Sequence, residues 1–241
     1  MKNRLSGKML LIVMVSFLFA SVQLHAQALN TLSKREKKQG WRLLFNGKDL
    51  TGWHIYLQPD AKPGWSVSDG AIMTDFNNGG VKRDLVTNEE FENYELTLQW
   101  KIEEGGNSGI IFNVHEDPKY SATYVTGPEM QVLDNVKASD NKKDNHLAGS
   151  LYDLIAADPS AVHPAGEWNT VIIKMNKGLL QLFMNGKKVV ETTLWNDQWK
   201  EMVANSKFKK MPAFGSFQKG RIALQYHGGE VWFRNIKIRA L

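Results

Sequence analysis

Two short segments, residues 127–134 and 221–229, carry the side chains best suited to chemistry. In an extended strand successive side chains point to opposite faces. Met130 and Val132 therefore share a face fit for a core, and Glu129 and Gln131 share the other. In the second segment Ile222, Leu224 and Tyr226 fall on one face, with Gln225 and His227 opposite. A carboxylate, two amides and an imidazole are the material of a polyol-binding or acid/base site. Glu129 and Gln131 would stand roughly 6.5–7 Å apart along one strand face, close enough to hold one ligand together. The competing reading is a solvated outer face, where most Glu and Gln lie. His227 suits general acid/base work or metal ligation because imidazole titrates near neutrality. Gly228 and Gly229 after it permit close backbone approach, which fits the rim of a site.

Weaker candidates surround these. Asn107, in Asn107-Ser108-Gly109, can bind sugar hydroxyls or simply start a strand. Asp153 lies inside the apolar run 151–155, where a carboxylate needs a partner, and His146 is the nearest one in sequence. It reads equally as a structural cap or a substrate-binding residue. His115, Glu116 and Asp117 are adjacent, so they do not point the same way and do not form a transition-metal signature. A divalent cation held by scattered oxygens leaves no local signature, so the metal ligands stay unknown at this stage. There is no P-loop, dinucleotide fingerprint, nucleophile elbow or zinc-protease helix.

The elements that must position these groups are mostly strands. Residues 94–103 alternate apolar and polar side chains, the pattern of a half-buried strand. Residues 65–67, 71–73, 109–114, 170–175, 179–184, 187–193, 221–227 and 231–238 add others. Tight turns at Asp69-Gly70, Asn176-Lys177-Gly178 and Asn185-Gly186 imply antiparallel pairing. The best helix candidate is 197–208, and a weaker turn spans 33–39. Many short strands, Gly/Asn turns and little helix predict an all-β sandwich or jelly roll. Most of the eight Trp fall inside apolar patterns, so they read as core rather than as sugar platforms.

The chain has 241 residues, no Cys and a formal charge of +5. Lys2, Arg4 and Lys8 precede an apolar run at residues 9–20, and Leu24-His25-Ala26 ends on a small residue. This predicts a signal peptide over 1–26, a flexible lead-in over 27–40 and one domain over 41–241. Cleavage would lower the charge to +2, so nucleic acid is not an expected partner despite the Lys207, Lys209, Lys210 cluster. A mature chain without Cys lacks a lipoprotein anchor, and stable membrane insertion is not expected. The predicted location is periplasmic or secreted.

Residues 44–53 (LFNGKDLTGW) resemble the N-terminal signature of the 3-keto-disaccharide hydrolase family, formerly DUF1080. The resemblance runs in order through 107–110, 127–134, 149–155, 166–170, 211–215 and 220–241. It implies a concanavalin A-like jelly roll of two curved antiparallel sheets with one or two short helices. It also implies a secreted enzyme acting on glycosides oxidised at C3. The ketone acidifies the C2 hydrogen, so a base removes it, the aglycone leaves, and water adds to the enone. Mapped here, Glu129 and His227 are the expected acid/base pair, and Asn107, Gln131, Asp153 and Gln225 would orient hydroxyls or hold a cation. The ketone oxygen needs an electrophile, and a cation is one way to supply it. Tyr226 and Gly229 stand where relatives often carry Asp, and Arg221 replaces a frequent His. Two rivals remain. A non-catalytic carbohydrate-binding jelly roll would share the fold. A conventional glycosidase would need a second carboxylate across the cleft.

Overall fold

A computed structural model describes residues 28–241, so the expected signal peptide lies outside the described residues. The alternation at residues 94–103 becomes the Tyr94–Ile102 strand, which buries Tyr94, Leu96, Leu98, Trp100 and Ile102. It lies in the middle of an eight-stranded sheet, between Asn169–Asn176 and Val231–Ala240. Leu179–Met184 and Lys187–Thr193 extend that sheet on one side, Ala71–Thr74 and Trp65–Ser68 on the other, and Arg42–Leu43 pairs with Val231–Ala240. The second sheet has five strands in the order Trp53–Ile55, Leu85–Thr87, Arg221–Leu224, Asn107–Val114 and Glu129–Leu133. All pairings between these strands are antiparallel, as the tight turns require. At the three turns both central residues have positive φ: Asp69 and Gly70, Lys177 and Gly178, Asn185 and Gly186. That is the geometry whose twist matches the flanking strands. The described residues thus form an all-β jelly-roll sandwich with two short α-helices.

One continuous core lies between the sheets. The five-stranded sheet contributes Ile55, Leu85, Ile110, Phe112, Met130, Val132, Ile222 and Leu224. Burial of each such side chain is worth about 1.5–3 kcal/mol before entropy is subtracted. Alternation then dictates the other face of that sheet. There, Val86, Ile111 and Ala223 pack with Tyr56 and Val114 into a small apolar cluster. Glu129, paired with Ile111, and Gln131, paired with Gly109, continue the same face where the apolar filling stops. A polar cavity is left at that end.

Four expectations are corrected. Residues 151–155 are a tight turn rather than a strand: Leu151 and Ile155 exchange backbone hydrogen bonds, and Asp153 has φ +57°. The last strand of the site ends at Leu224, not His227, because the Tyr226 N–H donates to Asp84 Oδ1 (2.8 Å) instead of a neighbouring strand. The helix stops at Ala204, and a separate 3₁₀ turn, Lys207–Lys210, begins where Ser206 accepts a hydrogen bond from Phe208 N (3.1 Å). The lead-in is tied to the sheet from Asn30 onward. Asn30 is buried and exchanges hydrogen bonds with Asn235 (2.7 and 2.9 Å). Ser33 and Glu36 form a capping box on the Lys34–Lys38 helix, and Glu36 pairs with Lys237.

Candidate active site

A cavity of about 400 Å³ opens on the polar end of the five-stranded sheet. Its sheet-borne wall holds Asn107, Glu129, Gln131, Gln225 and His227, so five of the six residues singled out from the sequence converge. Asp153 does not line it. The opposite wall comes from loops: Tyr124, Asp140, Tyr152, Lys207, Phe208 and Met211.

Glu129 is the centre of the polar wall. It is only 6% exposed. Its strand continues beside residue 151, because Gln131 N donates to Ser150 O and Tyr152 N donates to Glu129 O, both at 3.0 Å. Room for the carboxyl comes from Gly109. A Cβ built there would stand 2.0 Å from Glu129 Oε1 and 2.6 Å from its Cδ. A glycine inside a strand marks such a close approach, and that is the signal in the sequence that points to Gly109. Gly109→Ala should push the carboxyl aside and cut kcat/KM at least about tenfold, since misplacement by 1 Å can cost about a hundredfold. Steady-state rates with a melting curve check it; an unchanged rate in a folded variant would show that the carboxyl need not sit there.

The amides hold this group. Turned so that its nitrogen faces them, the Gln131 amide donates to Glu129 Oε1 and Ser108 O, each at 2.9 Å. The reverse orientation offers only a 3.4 Å bond to Asn107 Oδ1, so the first is assigned. The Gln225 side chain also favours the ionised Glu129 carboxyl. Burial pushes the Glu129 carboxyl up to about 8. Lys207 opposes the shift, the negative charges of Asp84 and Asp140 add to it, and Gln225 opposes it weakly. This carboxyl is mostly protonated near neutrality, and its conjugate base is stronger than an ordinary carboxylate.

The loop-borne wall is a connected network. Tyr152 Oη donates to Asp140 Oδ2 (2.7 Å), and Asp140 Oδ1 meets His146 Nδ1 at 2.8 Å. His146 Nε2 meets Asp153 Oδ1 at 2.8 Å, the partnership expected for Asp153. Asp153 Oδ2 then accepts the backbone N–H of Lys207 (2.9 Å). Asp153 is therefore a positioning residue, not a substrate-binding one: it sets the 3₁₀ turn that presents Lys207. The Lys207 ammonium sits 3.9 Å from the Tyr152 ring centroid. Partial burial lowers its pKa, while Glu129, Asp153 and Asp140 draw it back up. Burial also raises Asp140, but the hydrogen bonds from Tyr152 and His146 outweigh it and hold that carboxyl low. At the rim stands exposed His227, followed by Gly228 at φ +97°.

The remaining departures lie off the cavity. Arg221 donates from Nη1 to Thr87 O and Asn88 O and pairs with Glu116, which also meets His54 Nε2 at 2.9 Å. Tyr226 packs edge-on against Trp65 and Phe76. His115 stacks on Phe217, and Asp117 pairs with Lys119, so the 115–117 run does not gather on one point. Among the described residues no three His, Cys, Asp or Glu are grouped to hold a metal ion. The cavity offers amides, the raised Glu129 carboxyl, the exposed His227 and an Asp140 carboxylate whose two oxygens are already engaged by Tyr152 and His146, with the Lys207 ammonium facing them. That donor set does not fit a divalent cation.

Comparison with known proteins adds the following. Residues 40–239 match the family described as a 3-keto-alpha-glucoside-1,2-lyase-like domain. A 3-keto-disaccharide hydrolase of Bacteroides thetaiotaomicron is 34% identical, aligned over 92% of this chain and 85% of its own. The crystal structure of a candidate glycosyl hydrolase from Parabacteroides distasonis superposes with a TM-score of 0.82 at 35% identity, covering 89% of this chain and 100% of the other. The carbohydrate-binding module CBM66 of Bacillus subtilis, at TM-score 0.50 and 10% identity over 79% of this chain and 96% of its own, shares the fold alone.

Proposed function

This chain belongs to the 3-keto-alpha-glucoside-1,2-lyase-like family and is a hydrolase-type enzyme of carbohydrate, and from that premise we propose that it cleaves 3-keto-glycosides by elimination and hydration. The observation that carries the reading is Glu129: a buried carboxyl, raised to about 8, on the floor of an open polar cavity. A C–H bond beside a ketone is a weak acid, and a general base works best with its pKa near the operating pH. In the proposed sequence Glu129 takes the C2 proton. The C2–H pair passes into an enolate with its charge on the C3 oxygen, then returns to form the C1=C2 bond as the C1–O bond breaks, and His227 at the rim gives the leaving oxygen a proton. Water then adds at C1, and a proton returns to C2. The net change is hydrolysis.

Negative charge gathers on the C3 oxygen while C2 loses its proton. Lys207 is the cation placed to meet it, and Asn107, Gln131 and Gln225 orient the ring hydroxyls. Lys207 thus takes the electrophilic role that a cation would otherwise supply. Asp140 brings a second carboxylate into the cavity, as a conventional glycosidase would want. Both of its oxygens, however, are already engaged by Tyr152 and His146. The proposal places the enzyme in the periplasm or outside the cell, on the strength of the basic and apolar start at residues 1–26.

Deuterium at C2 of a 3-keto-glucoside is expected to slow aglycone release by a primary isotope effect, with the unoxidised glycoside left intact. Following product by chromatography decides among the rivals. Equal turnover of the unoxidised glycoside would replace this mechanism with a conventional one. Tight calorimetric binding with no product would favour a binding module.

A further inference from the structure

Tyr124, Gln225 and His227 line not only the main cavity but also a second one of about 210 Å³ beside it. The two together fall within the roughly 300–1,000 Å³ of small-ligand sites. Their shared wall holds the group assigned to protonate the leaving oxygen. The scissile bond therefore lies at that wall, and the second cavity is where the departing half of the substrate goes.

The chemistry of the second cavity is cationic. Lys82 and Arg83 line it, and among the described residues neither forms an ion pair. Arg83 Nη2 donates to Ser121 O (2.8 Å), which fixes the guanidinium while leaving its other edge to a ligand. Lys82 Nζ stands 5.6 Å over the Phe76 ring. The carboxyl in the same wall, Asp84, attracts Arg83 but has both of its oxygens engaged by other partners. Its Oδ1 accepts Tyr226 N (2.8 Å), its Oδ2 accepts the Thr123 hydroxyl, and burial raises its pKa. A third, aromatic cavity around Trp195 and Trp199 lies behind Phe208 and Met211, and it shares neither His227 nor Gln225.

We propose that the second cavity is the leaving-group subsite and that Lys82 and Arg83 select a leaving sugar bearing an anionic group, a carboxylate or a sulfate ester. A fixed guanidinium fork pairs with either anion through two parallel hydrogen bonds. The inference rests on the reading of the main cavity as the place of C1–O cleavage.

The test compares 3-keto-glucosides whose leaving group is glucose, glucuronate or glucose 6-sulfate. At low salt the preferred acidic substrate should exceed the neutral one about tenfold in kcat/KM, a margin that narrows as salt screens the exposed charges. Whichever acid leads identifies the anion. Arg83→Gln and Lys82→Ala should each lower kcat/KM for that acid far more than for the neutral substrate. A neutral preference, or an acidic one that survives both substitutions, overturns the proposal. If no substrate is cleaved, the reaction assignment has failed instead, and calorimetry with free glucuronic acid and glucose 6-sulfate reads the subsite directly. Binding that Arg83→Gln abolishes then supports the subsite, and absent or unchanged binding overturns it.

Discussion

Glu129→Gln is expected to lower aglycone release from a 3-keto-glucoside by on the order of 10²–10⁴ while the protein folds normally. The amide keeps the size and can still meet Gln131 and Gln225, but it takes up no proton. The wild-type rate should rise with pH toward about 8, because only the ionised Glu129 accepts the C2 proton and burial holds its pKa there. In the variant that limb disappears along with the activity. A fully active variant, or a wild-type limb at the ordinary carboxylate pKa, would remove Glu129 from the chemistry.

The same shift has a stability consequence of opposite sign. The ordinary Glu value is 4.5 and the folded value is about 8, so between them the folded protein binds a proton that the unfolded chain has released. Stability is therefore fully present below 4.5 and is lost as pH rises through about 8, by on the order of a few kcal/mol. Glu129→Gln abolishes this dependence, so the inactive variant should melt higher than the wild type at alkaline pH and differ little at acidic pH. Thermal melts across that range read it directly. Loss of activity with a gain in alkaline stability separates a functional carboxyl from a structural one.

The sheet-borne half of the site was legible because a strand's period of two is a local property. Met130 and Val132 had to enter the core, so Glu129 and Gln131 had to face away from it; the packing bears this out. Gln225 and His227 were placed on the right wall by the same argument, although the strand stops before them. The failures came where a side chain replaces a backbone partner. Asp84 accepts Tyr226 N and so ends the strand, yet nothing near Tyr226 in the sequence points to residue 84. Asp153 reads as part of a strand because Leu151, Leu154 and Ile155 surround it. The exchange of hydrogen bonds between Leu151 and Ile155 that closes the turn has no marker in composition.

Lys207 is the clearest case of what the sequence hid. Beside Lys209 and Lys210 it looks like part of a solvated basic cluster, and the helical pattern over 197–208 would carry it along a surface helix. The Asn205–Ser206 break turns the chain, Ser206 caps a new 3₁₀ turn, and Asp153 binds the Lys207 N–H. The ammonium is thereby aimed over Tyr152 into the cavity. Asp140, Tyr152 and Tyr124 arrive by loops in the same way, so only the assembled fold brings them to Glu129.

Lys207→Met should therefore rank with Glu129→Gln in effect. Removing the cation proposed to meet the developing charge on the C3 oxygen is expected to cost about 10²–10³ in kcat, the range for a lost oxyanion donor. A second readout separates this from a mere packing defect. Lys207 lowers the Glu129 pKa, so its loss must raise that value and move the rising limb of the residual pH–rate profile to higher pH. Lys207→Arg keeps the charge and the stacking on Tyr152, so the limb should stay in place even where the rate falls through altered reach. Rates for both variants from acidic to alkaline pH decide the matter. A Lys207→Met enzyme whose limb does not move would place the ammonium too far from Glu129 to share its substrate, and the electrophile would have to be sought elsewhere in the cavity wall.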